Sequence, residues 1–244
     1  MRNYGWLGYI PAVGTEKHAY RNTIAKTVPI PDVAYGFSAP FRSQGNKPYC
    51  GFYSFCEAHY GEMQRVGLEP VLLDPLDLAE SYKKETGSND GVYNRVMLEV
   101  AAKYGVLGED GKRYYIDAWH EVDLSNKDEV FNCLAERRTI IAGFPVYRKA
   151  FDEATNGLTT MPERGDVWLG GHDCSFKGYI KKPKMPIYFD EPVVIGENHW
   201  DEWGFGPNNP PGWEGDAYGE EGNFLMPLAV LVKYGADAWT ISLA

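Results

Sequence analysis

A change of hydrophobic period near the middle constrains this chain more than any other feature. From Cys50 onward, Phe52, Phe55, Cys56, Tyr60, Met63 and Val66 recur at helical spacing, and Gly67 closes the run. Residues 74–82 read as a second, shorter helix. Residues 92–104 read as a third, with Val96, Val100 and Ala101 on one face and Gly105 as its stop. Ser125 followed by Asp128 resembles a capping box ahead of Val130, Phe131 and Leu134, which predicts a fourth helix. After Arg138 the pattern becomes that of strands. Residues 139–144 read as a buried strand, residues 174–180 alternate, and residues 192–196, 222–225 and 238–241 are further strands. Helices first and strands second predicts an α+β fold rather than an alternating parallel sheet.

The gross numbers narrow the class. A chain of 244 residues fits one large domain, or two lobes sharing one core surface. With 44% hydrophobic and 24% charged residues, the balance is that of a globular protein. The formal net charge of -10 repels phosphate backbones and anionic lipid, so neither nucleic acid nor a membrane is an expected partner. No window approaches the roughly 18 apolar residues of a membrane span. The first residues, Met1 to Trp6, contain no apolar signal region, which predicts a cytoplasmic or virion-associated protein. The four cysteines, Cys50, Cys56, Cys133 and Cys174, form no C-x-x-C pair, so no metal site or other cofactor is expected. They are too few for a disulfide framework and read as free, mostly buried thiols.

Three residues carry candidate chemistry. Cys50 opens the first predicted helix, where about half a positive charge favours the thiolate. His172 follows two glycines just ahead of a predicted strand. Asn198 follows another strand and precedes Trp200. An amide can orient an imidazole without taking its proton. Each has an ordinary structural explanation when taken alone: a buried cysteine, a structural histidine and a turn asparagine. The other histidines have weaker settings, and His59, on the first helix, reads as structural or surface.

Together these residues resemble the papain superfamily of cysteine peptidases. Gln44-Gly45, four residues and then Cys50 at a helix start is similar to that family's nucleophile motif. Gly171-His172 with Gly178-Tyr179 resembles its histidine motif, and Asn198-His199-Trp200 its Asn-Ser-Trp. Residues 222–227 resemble the glycine-led strand that follows. Asn89-Asp90-Gly91 resembles the segment lining the substrate cleft. The asparagine lies roughly 150 residues after the cysteine and the histidine roughly 120, against about 130–150 for such enzymes.

The resemblance implies a two-lobed fold. A helical lobe (about residues 50–136) opens with the nucleophile helix. An antiparallel sheet or barrel lobe (137–244) faces it across the active-site cleft, and residues 1–49 lead in across both. All 244 residues would then form a single domain. It implies that Cys50 attacks an acyl carbon, His172 serves as base and then acid, and Asn198 holds the ring under Trp200. Gln44 and the Cys50 N–H would bind the oxyanion. Asp90, Gly91 and Gly171 would border the cleft, where a peptide or protein substrate lies.

There are departures from the family pattern. Gly51 stands where plant and lysosomal enzymes carry an aromatic, and Lys47 where they carry a disulfide cysteine. His199 replaces a small serine, and its ring either disturbs the triad or points to solvent. Residues 201–219, with Trp203, Phe205 and Trp213, form a long insertion that reads either as an aromatic mini-core or as a lid on the cleft. The absence of a long pro-region and of a signal is similar to prokaryotic or phage-encoded relatives. Three functions fit: a cysteine peptidase, an amidase or transferase of the same fold acting on isopeptide or cell-wall peptide, and a catalytically silent binding module.

Overall fold

The computed structural model describes residues 30–152, 157–183, 191–200 and 221–243. In chain order its elements are β1 (Val33–Tyr35), α1 (Cys50–Arg65), α2 (Pro75–Thr86), α3 (Asn94–Tyr104), β2 (Val106–Leu107), β3 (Arg113–Tyr114), β4 (Ala118–Glu121) and α4 (Lys127–Ala135). There follow β5 (Ile140–Tyr147), α5 (Arg148–Asp152), β6 (Trp168–Ile180), β7 (Val193–Glu197), β8 (Asn223–Pro227), α6 (Leu228–Tyr234) and β9 (Ala236–Ser242). The insertion at 201–219 lies outside the described residues.

The first three helices share one core, built from Phe52 and Phe55 of α1, Leu78 and Tyr82 of α2, and Met97 and Leu98 of α3. Each helix has a local reason to start or stop. Asp74 caps α2 by accepting the Leu76 N–H at 2.8 Å, with Pro75 in the first turn. Gly87 ends α2 in the left-handed region, at φ 86°. The capping box of α4 is shifted by one residue from the predicted position. Asn126, not Ser125, caps the helix by accepting the Glu129 N–H, and the Glu129 carboxylate reaches back to the Asp123 N–H. Asparagine caps at least as well as serine, and Ser125 bonds to Asp123 instead.

The second half forms a seven-stranded antiparallel sheet in the order β4-β9-β5-β6-β7-β8, with β1 paired to the end of β6. Among the described residues the sheet is open, with β4 and β8 at its edges, and does not close into a barrel. One face buries Ala142 and Phe144 of β5, Cys174 and Phe176 of β6, Val194 of β7 and Phe224 of β8. Val130 and Leu134 of α4 complete this core, so α4 packs with the sheet rather than with the other helices.

Strand β6 is far longer than its alternating segment suggests. It runs for 13 residues and contains His172, which the sequence places ahead of the strand. Gly170 and Gly171 look like strand breakers, yet they continue the ladder by pairing with Val146 and Pro145. Gly170 does so at φ 145°, a conformation open mainly to glycine. Beyond the glycines, neighbouring residues serve opposite surfaces. Cys174 and Phe176 enter the sheet core. Asp173 and Lys177 reach the helical side, toward Asn94 and Glu57. No helix among the described residues is long and apolar enough to cross a membrane.

Candidate active site

Cys50 is the first residue of α1 and is fully buried. The preceding Tyr49 makes no side-chain hydrogen bond to the helix end. The first-turn N–H groups are therefore not consumed by a capping side chain, and the positive end of the helix acts on Cys50. Gly51 has a specific steric role. A Cβ at this position would run into Val92 Cγ1, so the glycine lets the segment after Gly91 pack on the start of α1. This segment is tied down further by Asn89, whose Nδ2 donates to the Tyr49 hydroxyl at 3.1 Å. Gly91 is buried at φ 122°, while Asp90 is exposed.

His172 is 1% exposed. Its Nε2–H donates to Asn198 Oδ1 at 2.8 Å, which places the basic lone pair on Nδ1. The Nδ1 atom is buried and has no hydrogen-bond partner among the described residues. Trp200 stacks on the imidazole with ring centroids 4.2 Å apart and an interplanar angle of 28°. Phe144 meets the same ring edge-on at 5.9 Å. Burial in these apolar walls pushes the His172 pKa down to about 3, against the Asn198 hydrogen bond, which favours the charged ring. The resting imidazole is a neutral base.

Asn198 is fixed at its backbone by donating its N–H to the Gly222 carbonyl at 2.9 Å. Gly222 has no room for a side chain, because a Cβ would lie 2.7 Å from the Asn198 carbonyl and 2.6 Å from the Phe41 ring. Gln44 is brought to the same place by its backbone N–H, which donates to the His199 carbonyl at 2.8 Å. The Gln44 side-chain Nε2 donates to the Lys47 carbonyl at 2.7 Å, which orients the amide and leaves its second N–H for another acceptor. Helix α1 is anchored beside the histidine by Ser54, whose Oγ donates to the Asp173 carbonyl at 3.2 Å. Gly171 lies in β6 opposite Pro145. The structure thus joins His172 directly to Asn198 and Trp200, ties the Gln44 backbone to His199 between them, and packs α1, which Cys50 opens, against the histidine strand.

His199 does not point to solvent. It is buried, its Nδ1–H donates to the Arg42 carbonyl at 3.0 Å, and its ring lies 5.2 Å from that of Tyr53. It therefore supports the lead-in segment. All four cysteines are free and buried. Burial pushes the Cys56 and Cys133 thiols up to about 12, and Cys174 is raised well above its usual value for the same reason. His59 is structural and buried, its pKa pushed down to about 4 by desolvation.

Two groups of buried polar residues escaped the sequence reading. One joins Asn94 to Asp173 at 2.5 Å and to the Asp237 carbonyl at 3.1 Å. The other joins Glu57, Lys177 and Glu197. The available signal was a charge inside an otherwise apolar strand, at Lys177 and Glu197.

No family model matches the sequence, and no curated protein matches it. Solved structures do match, and they show that the chain has the papain-like two-lobed α+β fold. It is similar to xylellain, a cysteine protease from Xylella fastidiosa, at TM-score 0.79 and 20% identity over 100% of this chain and 98% of that one. It is also similar to procathepsin B S9 from Trypanosoma congolense, at TM-score 0.65 and 14% identity over 98% of this chain and 87% of that one. Digestive procathepsin L 3 of Tenebrio molitor larval midgut matches at TM-score 0.63 and 14% identity, over 99% and 76% of the two chains.

Proposed function

We propose that this chain is a papain-like cysteine peptidase that hydrolyses peptide bonds through an acyl-enzyme. The observation that carries the reading is the His172–Asn198 hydrogen bond beneath Trp200, with Nδ1 as the open basic atom. In this reading Cys50 gives its proton to Nδ1, and the thiolate and imidazolium stabilise each other where neither charge is stable alone. The thiolate attacks the acyl carbon. The resulting oxyanion accepts hydrogen bonds from the Cys50 N–H and the free N–H of Gln44. His172 then protonates the leaving amine, and water releases the acyl group from sulfur. Asn198 keeps the ring in one tautomer, and Trp200 excludes water from that hydrogen bond.

The cleft would be bordered by Asp90, Gly91 and Gly171, with one domain supplying both walls. A non-secreted setting, cytoplasmic or virion-associated, accords with four free buried thiols. A peptide-library digest that includes peptidoglycan fragments tests the reading, with Cys50→Ala as control. Cleavage of protein-derived peptides that disappears in Cys50→Ala supports a peptidase. Cleavage confined to cell-wall peptide points to an amidase, and turnover that survives in Cys50→Ala overturns the reading.

A further inference from the structure

A buried ionic cluster lies between α1 and the sheet, away from the candidate triad. The Lys177 side chain is 0% exposed, and those of Glu57 and Glu197 are 1% and 2% exposed. Lys177 Nζ donates to Glu197 Oε2 and to Ser38 Oγ, and lies 3.5 Å from Glu57 Oε1. The Glu57 carboxyl accepts the Ala39 N–H at 3.0 and 3.1 Å. Burial, aided by the Glu197 charge, drives Glu57 well above the usual carboxylate range. Burial pushes Glu197 the same way. The Lys177 ammonium, with His199 and hydrogen bonds from Glu57 and Lys177, overrides it and holds Glu197 ionised.

Stability does not explain such a cluster. Apolar residues of similar volume often hold a core together as well as a buried ion pair does, or better. Its placement offers a reason. Glu57 is on α1, Lys177 on β6 and Glu197 at the end of β7. Cys50 opens α1, His172 is in β6 and Asn198 directly follows β7. The three elements that carry or lead directly into a member of the candidate triad each carry one member of the cluster. Glu57 lies about two helical turns from Cys50 on the same face, roughly 10.5 Å along the axis. Lys177 is the extra residue of a β-bulge. Phe176 pairs with Gly196 and Gly178 with Ile195, so two steps of β6 oppose one step of β7 at Lys177. A bulge re-aims a side chain and pins the register on either side of it. The Gly36 N–H secures this bulge by donating to the Lys177 carbonyl at 2.6 Å.

We propose that Glu57, Lys177 and Glu197 are positioning residues whose shared contacts set the register of α1, β6 and β7, and so place Cys50, His172 and Asn198 for reaction. This rests on the cysteine-hydrolase reading of those three residues. Apolar contacts tolerate a small slide of α1 along the sheet. A slide here pulls Glu57 away from both the Ala39 N–H and Lys177, which makes the arrangement selective for one register.

The test is the rate of iodoacetamide alkylation of Cys50, followed by mass spectrometry, alongside thermal unfolding. Wild type comes first. If its Cys50 reacts no faster than Cys56, the hydrolase reading falls and the positioning role falls with it. Lys177→Met is expected to slow Cys50 alkylation by about ten- to a hundredfold, the scale of a small misplacement of reacting groups. Should Lys177→Met not fold, the neutral triple variant Glu57→Gln/Lys177→Met/Glu197→Gln serves, since it leaves no unpaired charge. A folded Lys177→Met or triple variant with the wild-type rate overturns the positioning role and leaves the hydrolase reading standing. A loss of unfolding temperature without a change in rate has the same consequence.

Discussion

His172 in β6 and Asn198 just after β7 are 2.8 Å apart through Nε2 and Oδ1, and the Trp200 indole stacks on the imidazole. The bond does two things at once. It selects the tautomer whose lone pair is on Nδ1, and it partly offsets the cost of holding an imidazole where water cannot reach. Asn198→Ala removes the acceptor and leaves the buried Nε2–H unsatisfied. We expect kcat/KM to fall by about a hundredfold, the order associated with a misplaced catalytic group. Steady-state kinetics on the best library peptide, with circular dichroism to confirm folding, measure this.

Gln44 is held by both its backbone and its side chain, so its loss separates rate from binding. Gln44→Ala removes one donor from the position assigned to the oxyanion. We expect kcat to fall by about 10²–10³ with little change in KM, because the donor acts on charge that develops only in the transition state. Pre-steady-state acylation kinetics give the two terms separately.

Gly51 faces Val92 where a Cβ has no space. Gly51→Ala forces the stiff, buried Val92 side chain or the backbone beside Gly91 to move. The expected cost is about 1–3 kcal/mol, as for other overpacked cores. Since the displaced segment borders the proposed cleft, KM is expected to rise more than kcat falls. Urea unfolding and steady-state kinetics on the same preparation check both parts.

Asp173 sits beside His172 in sequence but reaches the opposite surface of β6, where burial pushes its carboxyl up to about 8. The unfolded chain releases this proton near the ordinary aspartate value, below 4, and the folded chain holds it until about pH 8. Folding stability from this group is therefore complete at acidic pH and is lost progressively as pH rises from about 4 to about 8. Asp173→Asn keeps an acceptor for Asn94 and removes the titration. It is expected to stabilise the protein at neutral pH by at least ~1 kcal/mol, one pKa unit being worth about 1.4 kcal/mol, with the gain vanishing in acid. Urea unfolding across that range measures it.

The buried histidines act in the other direction. His59 is held neutral by burial, its pKa pushed down to about 4, and His172 to about 3. In the unfolded chain both take up protons below about pH 6.5. Their contribution is fully present above that value and is lost as pH falls toward 4. Neither His59 ring nitrogen has a hydrogen-bond partner among the described residues. His59→Leu is expected to stabilise the fold by about 1 kcal/mol or more, with the gain growing as the solution is acidified. Thermal melts over the same pH series test this.

Much of this was legible in the sequence because it rests on local signals. The cores of α1 and α3 follow from helical periodicity closed by Gly67 and Gly105, the reading of residues 74–82 finds α2 but stops short of its end at Thr86, and β5, β7, β8 and β9 follow from short apolar runs. What was illegible depends on tertiary partners. The first half of β6 hides behind Gly170 and Gly171, which read as a break until the pairing with β5 is seen. Strand β1 has three residues and exists because β6 extends past β5 to receive it. The β2–β3 pair is equally short, with two residues on each side. Gln44, His172 and Asn198 could be picked out by motif. The hydrogen bonds that fix them could not, since the partners carry no signature of their own: the Lys47 and Gly222 carbonyls accept from Gln44 and Asn198, and Ser54 donates to the Asp173 carbonyl beside His172. Glu57 looked like any polar residue on a helix, because burial by a strand more than a hundred residues away leaves no local trace.

The four cysteines provide the most direct measurement. All four are buried to within 1%, so static exposure does not favour any one of them. Burial holds Cys56, Cys133 and Cys174 as thiols at neutral pH. Cys50 alone opens a helix, one that packs against the strand carrying His172. With limiting iodoacetamide near neutral pH and peptide mass mapping, the expected result is label on Cys50 well before the other three, abolished by His172→Ala. Equal, slow labelling of all four, or Cys50 labelling that survives His172→Ala, would contradict the assignment.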